Sequence, residues 1–364
     1  MLRPAYRVTI GDHVVDTTAE PRASTIVELV VRLDMDTPAD EVTIVQGQVG
    51  GLRAVPGDDL SIELGYADPD AGLVRVLTGT VVTVEPDLRT VRIVGHSRAD
   101  ALLRTRLDRT FEDTTYGDVV RALAAEAGVD VARVEDGPQT NAYVVDGRRD
   151  GARHIRDLAV LAGFDTYLTP DGGLVFEALA GNRTVHVLKY AEHVLEAGLT
   201  RARPVAGTVE VFGESPGASS GDESWAWLTS DFTPYRASAG SGSPTLLLER
   251  SAVRTAAAAS TAATAALDAL TTATLRGRVR IQGRPQVALG DLVRLERFPT
   301  RAGVDELDGN YQVRAVEHRL TKAEGFVTDV DLRSLTGAAA QAAAATPGSA
   351  PTTAPATTST GGAS

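Results

Sequence analysis

Apolar and polar residues alternate at both ends of the chain, and they do so in the same order. Near the N-terminus Val42-Thr43-Ile44 is followed by Gly57-Asp58-Asp59-Leu60-Ser61-Ile62-Glu63-Leu64, then by Gly79-Thr80-Val81-Val82-Thr83-Val84-Glu85. Near the C-terminus Val279-Arg280-Ile281 is followed by Gly290-Asp291-Leu292-Val293-Arg294-Leu295-Glu296, then by Gly309-Asn310-Tyr311-Gln312-Val313-Arg314-Ala315-Val316-Glu317. A period of two marks strands with one buried face. Each set gives a strand, a Gly-Asp turn, an alternating strand and a further strand entered through glycine. The pattern predicts two related antiparallel β-barrel modules. Three copies of such a chain present six near-equivalent units, which is what joining a sixfold object to a threefold one requires.

Strand-like runs at 24–33, 41–46, 59–66, 73–84 and 90–95, broken by Pro56-Gly57, Asp68-Pro69-Asp70 and Pro86-Asp87, fill a first module at 1–99. The period then changes. Thr115-Tyr116-Gly117-Asp118 fits a capping box with Asp in the last place; Val119, Val120, Leu123 and Ala127 follow at helical spacing up to Gly128. A second helix starts near Asp150, carries Ile155, Leu158, Ala159 and Ala162 on one face, and stops at Gly163. Pro170-Asp171-Gly172 then turns a hairpin, so 100–185 is predicted as an α/β insertion of small helix-hairpin units. Residues 186–250 are expected to complete the barrels with extended strands and an aromatic loop containing Trp225, Trp227, Phe232 and Tyr235. An Ala-rich helix at 251–272, the second module at 273–335 and a disordered Ala/Thr/Pro/Ser tail at 336–364 close the chain.

Composition narrows the function classes. The net charge of -12 argues against the basic footprint that specific nucleic-acid binding needs, and the absence of cysteine removes disulfides, thiolate metal sites and a thiol nucleophile. Met1 to Ile10 has no apolar signal-peptide core and no window forms a membrane anchor, so synthesis in the cytoplasm is expected. Gly213-Glu214-Ser215-Pro216-Gly217 has the letters of a hydrolase elbow, but Pro216 lacks the N–H that half of the oxyanion hole requires. Asp34, Asp36 and Asp40 do not continue as a calcium loop, since Ala39 and Val45 stand where Gly and Glu belong, and a surface turn is expected instead. The six histidines include no helical metal-binding pair. No catalytic, metal-binding or cofactor-binding residue is predicted, and no cofactor.

Three ordered segments resemble a known family. Arg109-Thr110-Phe111-Glu112-Asp113-Thr114-Thr115-Tyr116-Gly117-Asp118, running on to Ala127-Gly128, resembles the first capped helix of phage late control D proteins. His154-Ile155-Arg156-Asp157-Leu158-Ala159-Val160-Leu161-Ala162-Gly163-Phe164-Asp165 and Asp171-Gly172-Gly173-Leu174-Val175-Phe176 resemble its second helix and hairpin. Gly283-Arg284-Pro285, Leu289-Gly290-Asp291, Gly309-Asn310-Tyr311-Gln312-Val313 and Val316-Glu317-His318 are similar to its closing barrel. The ordered set, spanning roughly 1–335, carries the resemblance; no single motif does.

The resemblance implies a structural baseplate hub of a contractile injection machine, as in phage tails and the hub portion of VgrG-type spike proteins, and not an enzyme. It implies a homotrimer seated on a hexameric inner tube protein, carrying a trimeric spike and meeting baseplate wedge or sheath-proximal proteins within a virion or phage-tail-like particle. VgrG-type proteins continue into an OB-fold and β-needle, whereas this chain runs into its Ala/Thr/Pro/Ser tail; the spike is therefore expected to be a separate polypeptide. Gly57, Asp58, Gly290 and Asp291, with Trp225 and Trp227, are the candidate assembly surfaces. The alternatives are a tail-tip cell-wall hydrolase, which needs a pair of catalytic carboxylates in a cleft, and a carbohydrate-binding adhesin.

Overall fold

The computed structural model describes residues 3–19, 25–47, 52–68, 72–179, 183–213, 233–300 and 307–336, with short pieces at 340–341, 344–346 and 348. The first part of the chain gives β1 (Pro4–Ile10), β2 (His13–Asp16), β3 (Ile26–Asp34), β4 (Glu41–Gly47), β5 (Asp59–Tyr66), β6 (Leu73–Pro86) and β7 (Thr90–Ser97). Next come α1 (Ala99–Arg104), β8 (Arg109–Thr115), α2 (Tyr116–Ala127), β9 (Val131–Val134), β10 (Gln139–Val145), α3 (Gly151–Ala162), β11 (Asp165–Leu168) and β12 (Leu174–Glu177). They are followed by β13 (Val185–Lys189), β14 (Val194–Arg201), β15 (Thr208–Gly213), β16 (Arg236–Gly240), β17 (Thr245–Arg250) and α4 (Ala256–Thr272). The last strands are β18 (Leu275–Gln282), β19 (Leu292–Glu296), β20 (Gly309–Thr321) and β21 (Gly325–Ser334).

Both β-modules lie in one curled sheet of 13 strands, in the order β14-β18-β21-β20-β3-β4-β7-β6-β5-β1-β2, with β19 joining β20 to β13. Alternate residues of both modules bury one continuous core, from Val8, Leu29, Ile44 and Ile62 to Val279, Val293, Val316 and Val330. The mainly β architecture with two related antiparallel modules is the fold the alternation predicts.

The duplication holds residue by residue. In the first module β5 pairs β6, β6 pairs β7, β7 pairs β4 and β4 pairs β3. In the second, β19 pairs β20, β20 pairs β21, β21 pairs β18 and β18 pairs β14. Even the irregularities recur. A bulge lies between Val81 and Thr83 on β6, and its counterpart lies between Val313 and Ala315 on β20. Another lies between Ile26 and Glu28 on β3, and its counterpart lies between Val194 and Glu196 on β14. A bulge fixes local twist and strand direction, so the shared set gives the two modules the same curvature. The likeness stops at β1, which runs antiparallel to β5, while β13 beside β19 is parallel.

A second core lies under the insertion, where α1, α2 and α3 pack with β8–β12. α2 begins with the predicted capping box: Thr115 Oγ1 accepts from Asp118 N, and the Asp118 carboxylate accepts from Thr115 N. Gly128 and Gly163 end α2 and α3 in left-handed geometry, at φ 67° and 71°. The expectation for 186–250 needs correction. β14 joins the barrel sheet, but β15, β16 and β17 form a separate three-stranded sheet. Val209 and Val211 on β15 bury against Ala259 and Ala263 of α4 in the insertion core, so those apolar faces are already covered there.

Candidate assembly surface

The two Gly-Asp turns are built alike. In the first, Gly57 sits at φ 101°, Asp58 Oδ2 accepts from Val55 N at 2.8 Å, and Asp58 N donates to Val55 O at 3.0 Å. Gly57 N then donates to Val81 O at 2.8 Å while Val81 N donates to Asp58 O at 2.9 Å. In the second, Gly290 sits at φ 80°, Asp291 Oδ2 accepts from Ala288 N at 3.0 Å, and Asp291 N donates to Ala288 O at 3.3 Å. Gly290 N donates to Val313 O at 3.2 Å and Val313 N to Asp291 O at 2.9 Å. Glycine is required because the left-handed backbone aims its N–H at the neighbouring strand. Aspartate closes the turn below it.

These turns fasten strands, and their surroundings differ. Gly57 is exposed, with nothing near the position of a Cβ. Gly290 is buried: a Cβ there would come 2.5 Å from the Tyr167 hydroxyl of β11. Asp291 also accepts from His186 Nε2 at 2.9 Å, and that imidazole is 1% exposed. The second turn is therefore covered by the chain's own insertion, and Gly290 cannot present an outer surface. Trp225 and Trp227 lie outside the described residues, as does the hydrolase-like segment from Glu214 onward. The expected disordered tail also lies largely outside them, but within the described pieces the carbonyl of Thr346 accepts from the Arg294 guanidinium at 2.9 Å on β19.

A cavity of about 310 Å³ opens between sheet and insertion, lined by Asp40, Ser97, Arg133, Tyr167, Arg183 and Asp291. Its carboxylates are committed to local structure. Asp40 is buried, not the surface turn the sequence suggested; it accepts from Asp34 N at 3.0 Å, and burial pushes its carboxyl up to about 6. Asp291 holds its own turn and His186, while Arg133 and Arg183 both close on Glu177. A hydrolytic carboxylate pair needs one acid and one base facing a shared substrate position, whereas these two face their own backbone turns. Among the described residues no group of three or more His, Cys, Asp or Glu side chains could hold a metal ion, and no helix is long and apolar enough to cross a membrane.

The solvent face of the sheet carries a row of paired charges that crosses from one module to the other. Arg278 forms two hydrogen bonds with Asp331, at 2.6 and 2.8 Å, and Arg280 two with Asp329, at 2.8 and 2.9 Å. Arg32 on β3 reaches Glu317 on β20 at 2.8 Å across the seam between modules. The seam itself is an antiparallel ladder, Val316 opposite Leu33, Glu317 opposite Arg32 and His318 opposite Val31. Sequence reasoning found the modules and missed this seam, because strand neighbours far apart in the chain leave no local signal.

No protein-family model and no curated protein sequence matches this chain. Solved structures do match. A tail protein from Neisseria meningitidis superposes with a TM-score of 0.70 at 16% identity, covering 95% of this chain and 100% of that one. The 43 kDa tail protein of prophage MuSo2 from Shewanella oneidensis gives 0.66 at 13% identity, covering 90% and 98%. The fold is that of phage tail proteins. The same tail-protein fold extends to a component of the E. coli type VI secretion system, at a TM-score of 0.54 and 9% identity over 90% of this chain and 77% of that one; that protein is described as structurally similar to T4 bacteriophage tail proteins. These neighbours agree with the resemblance to baseplate hubs read from the sequence.

Proposed function

We propose that this chain is a structural hub of a contractile tail or tail-like injection particle. In this reading it is a homotrimer that seats on a hexameric inner tube and carries a separate trimeric spike. The observation that carries the proposal is the register-matched duplication. Two modules with the same strand order, the same turn hydrogen bonds and two bulges in common let a threefold assembly offer six similar docking units to a sixfold tube. Homo-oligomers close their interfaces by cyclic symmetry, and a module repeated within the chain doubles the apparent order of the ring. The reading is non-enzymatic, with baseplate wedge or sheath-proximal proteins as further neighbours and a virion or tail-like particle as the final location.

Light scattering coupled to size exclusion on the full chain tests it. A mass of three chains, with a ring of sixfold appearance by electron microscopy, is the expected result. A monomer at all concentrations, or a dimer, overturns the trimeric hub.

A further inference from the structure

Among the described residues the duplicated sheet is closed at one inter-module seam and open at the equivalent one. Within the chain, the outer edge of β3 is covered by the second half of β20. By the register of the duplication β14 corresponds to β3 and β6 to β20. β14 has β18 on one side and no strand on the other among the described residues, and β6 beyond Val81 has β7 on one side and no strand on the other. We infer that these two open edges pair between copies: β14 of one chain with the second half of β6 of the next, antiparallel, repeating the β3–β20 seam. This inference rests on the hub reading for its ring closure and names the surfaces that make the ring.

Backbone direction on each open edge fits the pairing. Asp87 N donates to Thr90 O on the β7 side, so Val84 and Pro86, at alternate positions, direct their backbone groups to the open edge. Ala202 N donates to Thr274 O on the β18 side, so Leu199, three residues earlier, faces away from β18. Pro86 has no N–H to donate, so the proposed ladder lacks one bond there, opposite Leu199, while the Pro86 carbonyl and both backbone groups of Val84 remain available to it. Transferring the seam's register sets Val84 opposite Arg201, Glu85 opposite Thr200 and Pro86 opposite Leu199 of the neighbouring copy. Burial follows the same logic. Val316 and His318 at the closed seam are 2% and 0% exposed, while their counterparts Val84 and Pro86 are half-buried and exposed. Leu29 and Val31 on β3 are fully buried, while Ala197 on β14 is exposed and Leu199 half-buried. A second copy seated in the same manner covers these positions. The contact is heterologous, each chain offering a β6 edge and a β14 edge, so it makes a closed ring or an open filament depending on the rotation per module.

Because the chain has no cysteine, paired cysteines report this contact without background. Glu85 and Thr200 correspond to Glu317 and Arg32, and they fall at a narrow, non-hydrogen-bonded position of the ladder, where Cα atoms are about 4.5 Å apart and a disulfide can form. Both side chains are solvent-facing, so the double variant E85C/T200C should fold as the parent does. On mild oxidation of the full chain it is expected to give linked dimers and closed trimers on a denaturing gel and no larger species. E85C/E196C, displaced by about 13 Å along the strand, is expected to give none. Absence of cross-linking in a protein that scatters as a trimer overturns this interface and leaves the hub reading standing. A parent chain that stays monomeric overturns both, and a ladder extending past three overturns the closed ring.

Discussion

Asp58 and Asp291 each clamp a turn to the adjacent strand, but only Asp291 also holds a buried imidazole. Asp58→Ala is expected to cost about 1 kcal/mol and Asp291→Ala about 2–3 kcal/mol, because the latter leaves His186 without its acceptor. Urea denaturation of both variants measures the difference, and equal losses would contradict the role given to His186. Two other buried groups set opposing pH dependences. Asp40 is raised from 3.8 to about 6 by burial, so the native state binds its proton more tightly and stability falls as pH rises from about 4 to 6. Asp40→Asn should therefore gain on the parent across that window, approaching about 3 kcal/mol above pH 6. His318, enclosed beside Thr328 and Phe326, is lowered from 6.5 to about 4 by burial. Its contribution is fully present above pH 6.5 and is lost as pH falls toward 4. His318→Gln should lose that acid sensitivity, measured as the difference in unfolding free energy from the parent between pH 7 and 4.5. A difference that does not change with pH would refute the assignment. None of these burial effects is legible in sequence: Asp40 sits in a run of aspartates that looks solvated, and tertiary neighbours bury it, β7 through Ser97 on one side and the insertion through Tyr167 and Leu168 on the other.

The elements that could be read in advance were those whose limits are written locally. α2 and α3 carry their own start and stop signals in Thr115, Asp118, Gly128, Asp150 and Gly163, and the structure uses all of them. Thr115→Ala should cost about 1 kcal/mol through the lost cap, read from a thermal melt. Gly163→Ala should cost more than a cap glycine alone, since its Cβ would come 2.9 Å from that of Ala265 on α4 as well as straining a φ of 71°. Equal effects at Gly163 and Gly128, which has open space around it, would show that the α4 contact carries no weight. β8 carries no sequence signal because Arg109–Thr115 is largely exposed on both faces and lacks the alternation by which strands are recognised. β15 to β17 alternate well, yet they form their own three-stranded sheet instead of completing the barrels. Periodicity reveals that a face is buried but not what buries it, and here α4 does.

For the whole molecule, the duplication was visible in the sequence as two copies of one alternating pattern, each with a Gly-Asp turn. Period-two burial and the left-handed glycine are local requirements, so the residues themselves specified the β-modules, the capped helices and the mainly β class. The tertiary structure alone decided which strands became neighbours. It placed β20 against β3, folded the insertion over Gly290 while leaving Gly57 exposed, and, among the described residues, left the matching edges of β6 and β14 without a strand partner. Those outcomes depend on pairings between residues far apart in the chain. A backbone ladder forms through N–H and C=O groups that every residue but proline carries, so the sequence has no distinct letter for them.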